Sequence, residues 1–134
     1  MHNNLKVPMD LYYTDDHTWI FIEDDIGTIG ITDFGQSELA EIVYIELPNV
    51  GAEVVQGSPF GTIEAMKTVA ELISPISGEV IETNDIVEAD PRQINIDPYD
   101  DGWMIKVKIH EPNEIEHILT PHDYIVYVSG EDIL

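Results

Sequence analysis

Short runs of strand-forming residues, separated by turn residues, occupy most of the chain. Residues 18–22 and 27–31 are rich in β-branched and aromatic types, and they flank the acidic turn Glu23-Asp24-Asp25. This pattern predicts an antiparallel hairpin. Residues 43–47, 79–82 and 103–109 predict three further strands. Many short strands at close spacing are typical of a mainly β fold, either a barrel or a sandwich.

Helical signals are confined to a few places. Thr32 and Asp33 offer an N-cap for a short helix. Residues 112–119 begin a C-terminal helical pattern, and Thr120-Pro121 predicts the start of a second helix there. Residues 84–101 have few apolar positions, so we expect a long connection holding at most one helical turn.

A lysine stands between two of the strand-like segments. Residues 60–62 precede Lys67 and residues 69–73 follow it, which predicts a hairpin with Lys67 at its tip. The other lysines differ, because Lys6 lies in the N-terminal tail while Lys106 and Lys108 alternate with apolar residues on a strand. Lys67 is therefore either a solvated turn residue or a point of covalent attachment.

Length and composition limit the architecture and the location. A chain of 134 residues predicts a single domain, residues 1–134, with a core at about 11–109 and a helical extension at about 112–134. The absence of cysteine excludes disulfides, thiolate metal sites and a cysteine nucleophile. Because the N-terminus lacks a secretion or transit pattern and no apolar run is long enough for a membrane helix, we expect a cytoplasmic protein.

The charge is strongly acidic. With 27 Asp and Glu against 5 Lys and Arg, the formal net charge is −22. Such a field repels nucleic acids and anionic membranes and favours partners with basic surfaces. The acidity therefore excludes nucleic-acid binding, but it serves either to attract partners or to adapt the protein to a saline or alkaline habitat.

No pattern of catalytic or metal-ligating residues appears. The five histidines lack metal-binding spacing, and no nucleophile motif or phosphate-binding glycine loop is present. The acidic clusters do not follow the calcium-loop pattern. We expect His17 to pack rather than to transfer protons. The sequence therefore predicts a protein that is not an enzyme, with no catalytic residues and no metal site.

Five runs, in order and with matching spacing, carry a family resemblance: residues 13–19, 30–34, 42–51, the Lys67 hairpin and residues 95–103. Together they resemble the H-protein of the glycine cleavage system over about residues 11–109. The resemblance implies a flattened β-barrel sandwich of the lipoyl/biotinyl-domain type, a barrel-sandwich hybrid with a few short helices. It also implies lipoic acid, held as an amide on a lysine at a hairpin tip.

The resemblance assigns the site residues. Lys67 matches the lysine that carries the lipoyl group. Glu64 and Glu71 match positions at which a modifying enzyme would recognise the hairpin. Gly51 and Gly78 match glycines that would permit tight turns and hold the tip in a fixed pose. Taken singly, these four are ordinary surface carboxylates and turn glycines, so the assignment rests on their joint spacing.

The resemblance also implies partners. They are a PLP-dependent glycine decarboxylase, an aminomethyltransferase, dihydrolipoyl dehydrogenase, and a lipoate ligase or octanoyl/lipoyl transferase that attaches the cofactor. The protein would be a monomeric carrier that shuttles an aminomethyl intermediate and reducing equivalents between these enzymes without catalysing a step itself.

Other interpretations remain open from the sequence. Ala65-Met66 precede Lys67 where the family usually has Ser-Val, and Glu-Ala-Met-Lys is typical of biotin carriers, which normally have methionine where this chain has Thr68. An H-protein-like carrier could instead serve a sulfur-oxidising heterodisulfide-reductase-like pathway or lipoyl relay. An interaction module without a cofactor is the alternative of a different class.

Overall fold

Two antiparallel β-sheets form the body of the protein. The computed structural model describes the backbone from residue 5 to residue 133 and side chains up to residue 130. The strands of the larger sheet lie in the order β1 (Tyr12–Tyr13), β2 (Thr18–Glu23), β3 (Ile26–Ile31), β9 (Ile105–Ile109), β8 (Gly78–Thr83) and β5 (Glu53–Val54). The smaller sheet has the order β4 (Ile42–Glu46), β6 (Pro59–Ala65) and β7 (Val69–Ile73).

One main hydrophobic core joins the two sheets. The alternation along each strand turns every second side chain inward, where burial of apolar area stabilises the fold. The core includes residues of the larger sheet and residues of the smaller sheet, such as Ile20, Ile29, Val80, Val107, Ile45, Ile63 and Leu72. This arrangement confirms the predicted mainly β sandwich with a few short helices.

The first predicted hairpin is confirmed. Strands β2 and β3 pair from Thr18 opposite Ile31 to Glu23 opposite Ile26. Asp24 in the turn has a φ of 58°. An aspartate accepts this left-handed conformation more easily than most residues because its short side chain bonds locally. The acidic turn therefore serves the geometry of the hairpin.

The helix after β3 begins at the position that the N-cap signal of Thr32 and Asp33 predicted. Helix α1 spans Asp33–Leu39, and the Oγ1 of Thr32 accepts a hydrogen bond of 3.0 Å from the N–H of Gly35. This bond satisfies one of the backbone donors left open at a helix start. The helix is thereby fixed at the end of β3, beside the smaller sheet.

The stretch between β8 and β9 contains two short helices, so the prediction of at most one helical turn was wrong. They are α2 (Asp85–Ala89) and α3 (Gln93–Ile96). Asn84 caps α2 by accepting from the N–H of Ile86 at 3.0 Å. Each helix buries one apolar side chain in the main core, Val87 and Ile94. Tertiary packing thus forms helices that the local composition does not favour.

The C-terminal segment is helical, as predicted. A 3-10 helix spans Pro112–His117, and helix α4 spans Pro121–Ile133. The Oγ1 of Thr120 accepts from the N–H of Asp123 at 3.2 Å, which is the expected capping bond. None of the helices between residues 5 and 133 combines the length and apolar character that crossing a bilayer requires.

Helix α4 packs against the start of the larger sheet. The ring of Tyr124 stacks on that of Tyr13, with centroids 4.6 Å apart and an interplanar angle of 11°. The Tyr124 hydroxyl lies 2.7 Å from Thr32 Oγ1 and 2.9 Å from His17 Nδ1. A buried hydroxyl needs such partners. His17 therefore has a packing and hydrogen-bonding role, in line with the interpretation from the sequence.

Candidate functional site

Lys67 lies at the tip of the β6–β7 hairpin. In the register of this pair, Thr62 faces Glu71 and Glu64 faces Val69. The last bond before the tip runs from the N–H of Ala65 to the carbonyl oxygen of Thr68 at 2.8 Å. Met66 and Lys67 are thus the two residues that this bond encloses. The sequence prediction of strand, tip and strand is confirmed.

The backbone of the tip is unstrained. Among residues 5–133, positive φ occurs outside glycine only at His17, Asp24 and Ala40. The commonest two-residue hairpin turns need positive φ and therefore glycine or asparagine. Met66 and Lys67 avoid that requirement, so long side chains stand here without cost in backbone strain.

The amine of Lys67 is exposed and unpaired. Its neighbours Met66 and Val69 are 71% and 64% exposed, so solvent surrounds the tip. Across the described side chains, no carboxylate oxygen lies within 4.0 Å of the Lys67 amine, whereas Lys106 pairs with Glu82 at 3.7 Å and Lys108 with Asp25 at 3.9 Å. Of the three lysines on strands or hairpins, Lys67 is the one without an ion pair among the described side chains.

Glu64 and Glu71 lie on the outward face of the smaller sheet. Glu64 is half-buried, and its Cα partners are Tyr44 on β4 and Val69 on β7. Glu71 is exposed and lies two residues beyond Val69, so it shares this face but is farther from the tip. The hairpin therefore presents two carboxylates on one face and carries the exposed Lys67 at its tip.

Gly51 and Gly78 lie in the region of the larger sheet and not in the hairpin. Gly51 has a φ of +96°, and its N–H donates to the carbonyl oxygen of Val80 at 2.7 Å. It thus forms the tight turn that was expected. The structure does not bring these two glycines together with Lys67 in one cluster.

Gly78 corrects the expectation of a second tight turn. It is the first residue of β8, and its φ is not positive. A Cβ at this position would overlap the carbonyl oxygen of Lys108 on β9. Glycine is therefore required by the close approach of two strand backbones and not by a left-handed conformation.

A small cleft beside the hairpin was not predicted. It has a volume of about 140 Å³, and its apolar wall includes Ile63, Ala70 and Leu72 of the hairpin and Leu39 of α1. The sequence shows these residues only as ordinary core positions. Residues of α1 and of the edge strand β7 line the cleft together, a relationship that no local motif encodes.

Acidic side chains surround the cleft. Asp16, Glu38 and Glu71 line it together with His17. Burial, reinforced by repulsion from Asp15, raises the pKa of Asp16 above its ordinary value, while His17 acts in the opposite direction. The recess beside the hairpin is therefore apolar inside and negative at its rim.

Comparison with known proteins identifies the family. The family described as Glycine cleavage H-protein matches residues 11–131. The chain belongs to this family. The Glycine cleavage system H protein of Carboxydothermus hydrogenoformans is 48% identical over 118 residues, which cover 88% of this chain and 91% of that protein. The Glycine cleavage system H protein of Rubrobacter xylanophilus is 47% identical over 127 residues, 95% and 98% of the two chains.

The fold agrees with that of a solved H-protein. The crystal structure of a glycine cleavage system H protein from Mycobacterium marinum superposes with a TM-score of 0.81 at 35% identity, covering 96% of this chain and 100% of that chain. The H-protein family match also extends through most of α4. The segment beyond Ile109, where the resemblance seen in the sequence ended, is thus part of the family match.

Proposed function

We propose that this H-protein family member is a lipoyl carrier of the glycine cleavage system and that Lys67 holds lipoic acid as an amide. The observation that carries the proposal is the exposed, unpaired amine on an unstrained two-residue hairpin tip. Family membership supports the same role, because glycine cleavage H-proteins are lipoyl carriers.

The chain supplies attachment and presentation. When bound, the lipoyl group provides a cyclic disulfide that accepts an aminomethyl group together with reducing equivalents. Acylation would join Lys67 Nζ to the carboxyl carbon of the acid, with release of the amine protons and of the group through which the attaching enzyme activates that carbon. The amide would be uncharged, so one of the five Lys and Arg charges of the chain would be lost. Because β6 pairs on both sides, with β4 and with β7, the base of the tip is held in place.

Glu64 and Glu71 are proposed as recognition groups for the enzyme that attaches the cofactor. Both lie on the outward face of the hairpin that carries Lys67 at its tip, and no Lys or Arg of the described residues lies within 4.0 Å of either carboxylate. Glu71 is exposed and Glu64 is half-buried, and a surface carboxylate that forms no ion pair contributes little to stability. Contact with a basic surface of a lipoate ligase or octanoyl/lipoyl transferase is the role that this geometry supports.

Gly51 and Gly78 are proposed as positioning residues. Gly51 allows the tight turn that precedes β5, and Gly78 allows the close contact between the backbones of β8 and β9. Those strands pack through Val54, Val80 and Val107 on the core that also contains Ile63 of the hairpin. The glycines would therefore support the tip through the core and not by direct contact.

The partners proposed are those of the glycine cleavage system. They are the PLP-dependent glycine decarboxylase, the aminomethyltransferase and dihydrolipoyl dehydrogenase, each visited in turn by one monomeric, cytoplasmic carrier. The charge of −22 would accelerate encounter with basic docking faces on these enzymes. The carrier itself would catalyse no step.

Peptide mass mapping tests the attachment site. The protein is co-expressed with a lipoate ligase and digested, and Lys106→Arg serves as the matched control for Lys67→Arg. We expect lipoate on the Lys67 peptide in wild type and in Lys106→Arg, and no lipoate in Lys67→Arg. Biotin on Lys67, or lipoate on Lys106 or Lys108, would contradict the proposal.

A further inference from the structure

Three metal-ligating side chains meet on the larger sheet, away from the hairpin. Glu53 on β5 and Glu79 on β8 are Cα partners in the antiparallel register. His110 follows β9 directly, and its N–H donates to the carbonyl oxygen of Ser77 at 3.0 Å. Since Lys108 faces Glu79 across β8 and β9, His110 lies two residues farther along the same face.

The ligand atoms of the three side chains are close together. One carboxylate oxygen from each glutamate and one ring nitrogen of His110 all lie within 4.8 Å of one another. His110 Nδ1 is 3.4 Å from Glu53 Oε1. Ligands bound to one zinc ion at about 2.0–2.2 Å are separated by roughly 3–3.5 Å in a tetrahedral site. Glu53 and His110 are exposed and Glu79 is half-buried, and small rotations of their side chains would bring the three into coordination distance.

The electrostatics of this face favour a cation. Like charges directly opposite each other on paired strands repel, and Glu53 and Glu79 are such a pair. Within the described part of the chain, no Lys or Arg nitrogen lies within 4.0 Å of either carboxylate. Lys108 is the Cα partner of Glu79 on β9, but its Nζ lies 3.9 Å from Asp25 Oδ2. The group already beside the pair is the His110 imidazole, which is positive only when protonated. A metal ion bound to the neutral imidazole and to both carboxylates would relieve the repulsion between the two glutamates.

The chemistry of the donors indicates which cation. Magnesium and calcium prefer sites made only of oxygen ligands, whereas an imidazole combined with carboxylates suits zinc and related transition metals. We propose that Glu53, Glu79 and His110 form a binding site for a divalent transition metal ion, Zn²⁺ by ligand type, with water completing the coordination. Three protein ligands and water are a common zinc arrangement.

The ion would clamp a weak edge of the sheet. Strand β5 has two residues, Glu53–Val54, and it pairs with β8 alone. A metal bound to ligands from β5, β8 and the end of β9 would tie this edge strand to its neighbours. No sequence motif marks the site, because its ligands are far apart in the chain: Glu53 on β5, Glu79 on β8 and His110 directly after β9.

Titration with zinc tests the proposal. Untagged full-length protein is titrated with ZnCl₂ in a calorimeter, in the presence of excess Mg²⁺ to occupy nonspecific carboxylates. Variants Glu79→Gln and His110→Asn remove ligands. Glu82→Gln changes an exposed carboxylate of β8 that pairs with Lys106, and it is the matched charge control. His117→Asn and His2→Asn control for other imidazoles.

We expect one Zn²⁺ per chain, with binding weakened at least about tenfold by Glu79→Gln and by His110→Asn, since even second-shell changes at metal sites cost this much. The three control variants should bind as wild type does. In wild type, the His110 ring resonances should shift on adding Zn²⁺, a readout that needs no variant. No saturable binding at one equivalent, or unchanged affinity in His110→Asn, would overturn the proposal.

Discussion

The N–H of Ala65 donates to the carbonyl oxygen of Thr68 at 2.8 Å, and this bond closes the hairpin around Met66 and Lys67. The tip is therefore defined by backbone pairing and not by the lysine side chain. Because Ala65 is buried while the next three residues are exposed, the tip begins where the chain leaves the core. Attachment chemistry and folding are thus separable at this site.

Replacing the lysine should abolish modification and leave the fold intact. Lys67→Arg keeps the charge and removes the acylated amine, so lipoylation should be lost. Because the side chain is exposed and unpaired, the free energy of unfolding should change by less than about 0.5 kcal/mol. Urea denaturation followed by circular dichroism measures this change. A larger destabilisation would show that Lys67 is structural.

Removing one carboxylate beside the tip should slow lipoylation. Glu64→Gln keeps the shape of the side chain and removes the charge that a modifying enzyme would recognise. The initial rate of lipoate transfer should fall severalfold at unchanged stability. Glu82→Gln, on the larger sheet, has the same charge change and should react as fast as wild type. Equal rates for Glu64→Gln and wild type would refute the recognition role.

Alanine substitutions at two glycines, Gly78 and Gly130, should change the stability of the fold in opposite directions. In Gly78→Ala the new Cβ overlaps the Lys108 carbonyl, so strands β8 and β9 must separate, at a cost of about 1–3 kcal/mol. Gly130 in α4 has no neighbour within 4 Å of its would-be Cβ, and Gly130→Ala should stabilise by about 0.5–1 kcal/mol. Urea unfolding of both variants measures the sign of each change in the free energy of unfolding. A harmless Gly78→Ala would contradict the close strand approach.

The hairpin was predictable because its signals are local. Strand-forming residues on both sides of Lys67, with no competing cap or proline between them, allow few other structures. The placement of Gly51 and Gly78 was not predictable, because it depends on which strands pair and on the register of β8 and β9. Helices α2 and α3 were underestimated for a related reason. Burial of Val87 and Ile94 stabilises them, and local composition does not reveal that contact.

Stability should decrease at high pH because of Tyr13. Burial, with repulsion from Tyr99, Tyr124 and Asp10, raises the pKa of Tyr13 above its ordinary value of 10.0. The folded state therefore keeps a proton that the unfolded state releases above about pH 10, so the free energy of unfolding falls as pH rises. In Tyr13→Phe this fall should be shallower by up to about 1.4 kcal/mol per pH unit.

The control for this pH dependence is Tyr44→Phe, since Tyr44 is 50% exposed. Unfolding by urea at a series of pH values above 10 provides the measurement. The Tyr44→Phe variant should show the slope of wild type. An unchanged slope in Tyr13→Phe would contradict the assignment of the effect to the buried phenol.

Glycine decarboxylation tests the carrier role most directly. Lipoylated wild-type protein, lipoylated Lys106→Arg and Lys67→Arg are each mixed with the PLP-dependent glycine decarboxylase of the same organism, and CO₂ release from glycine is followed. The account predicts release that saturates with wild type and with Lys106→Arg, and none above background with Lys67→Arg. Lipoylated wild type that supports no CO₂ release, yet is reduced and oxidised by a sulfur-oxidising complex, would contradict it.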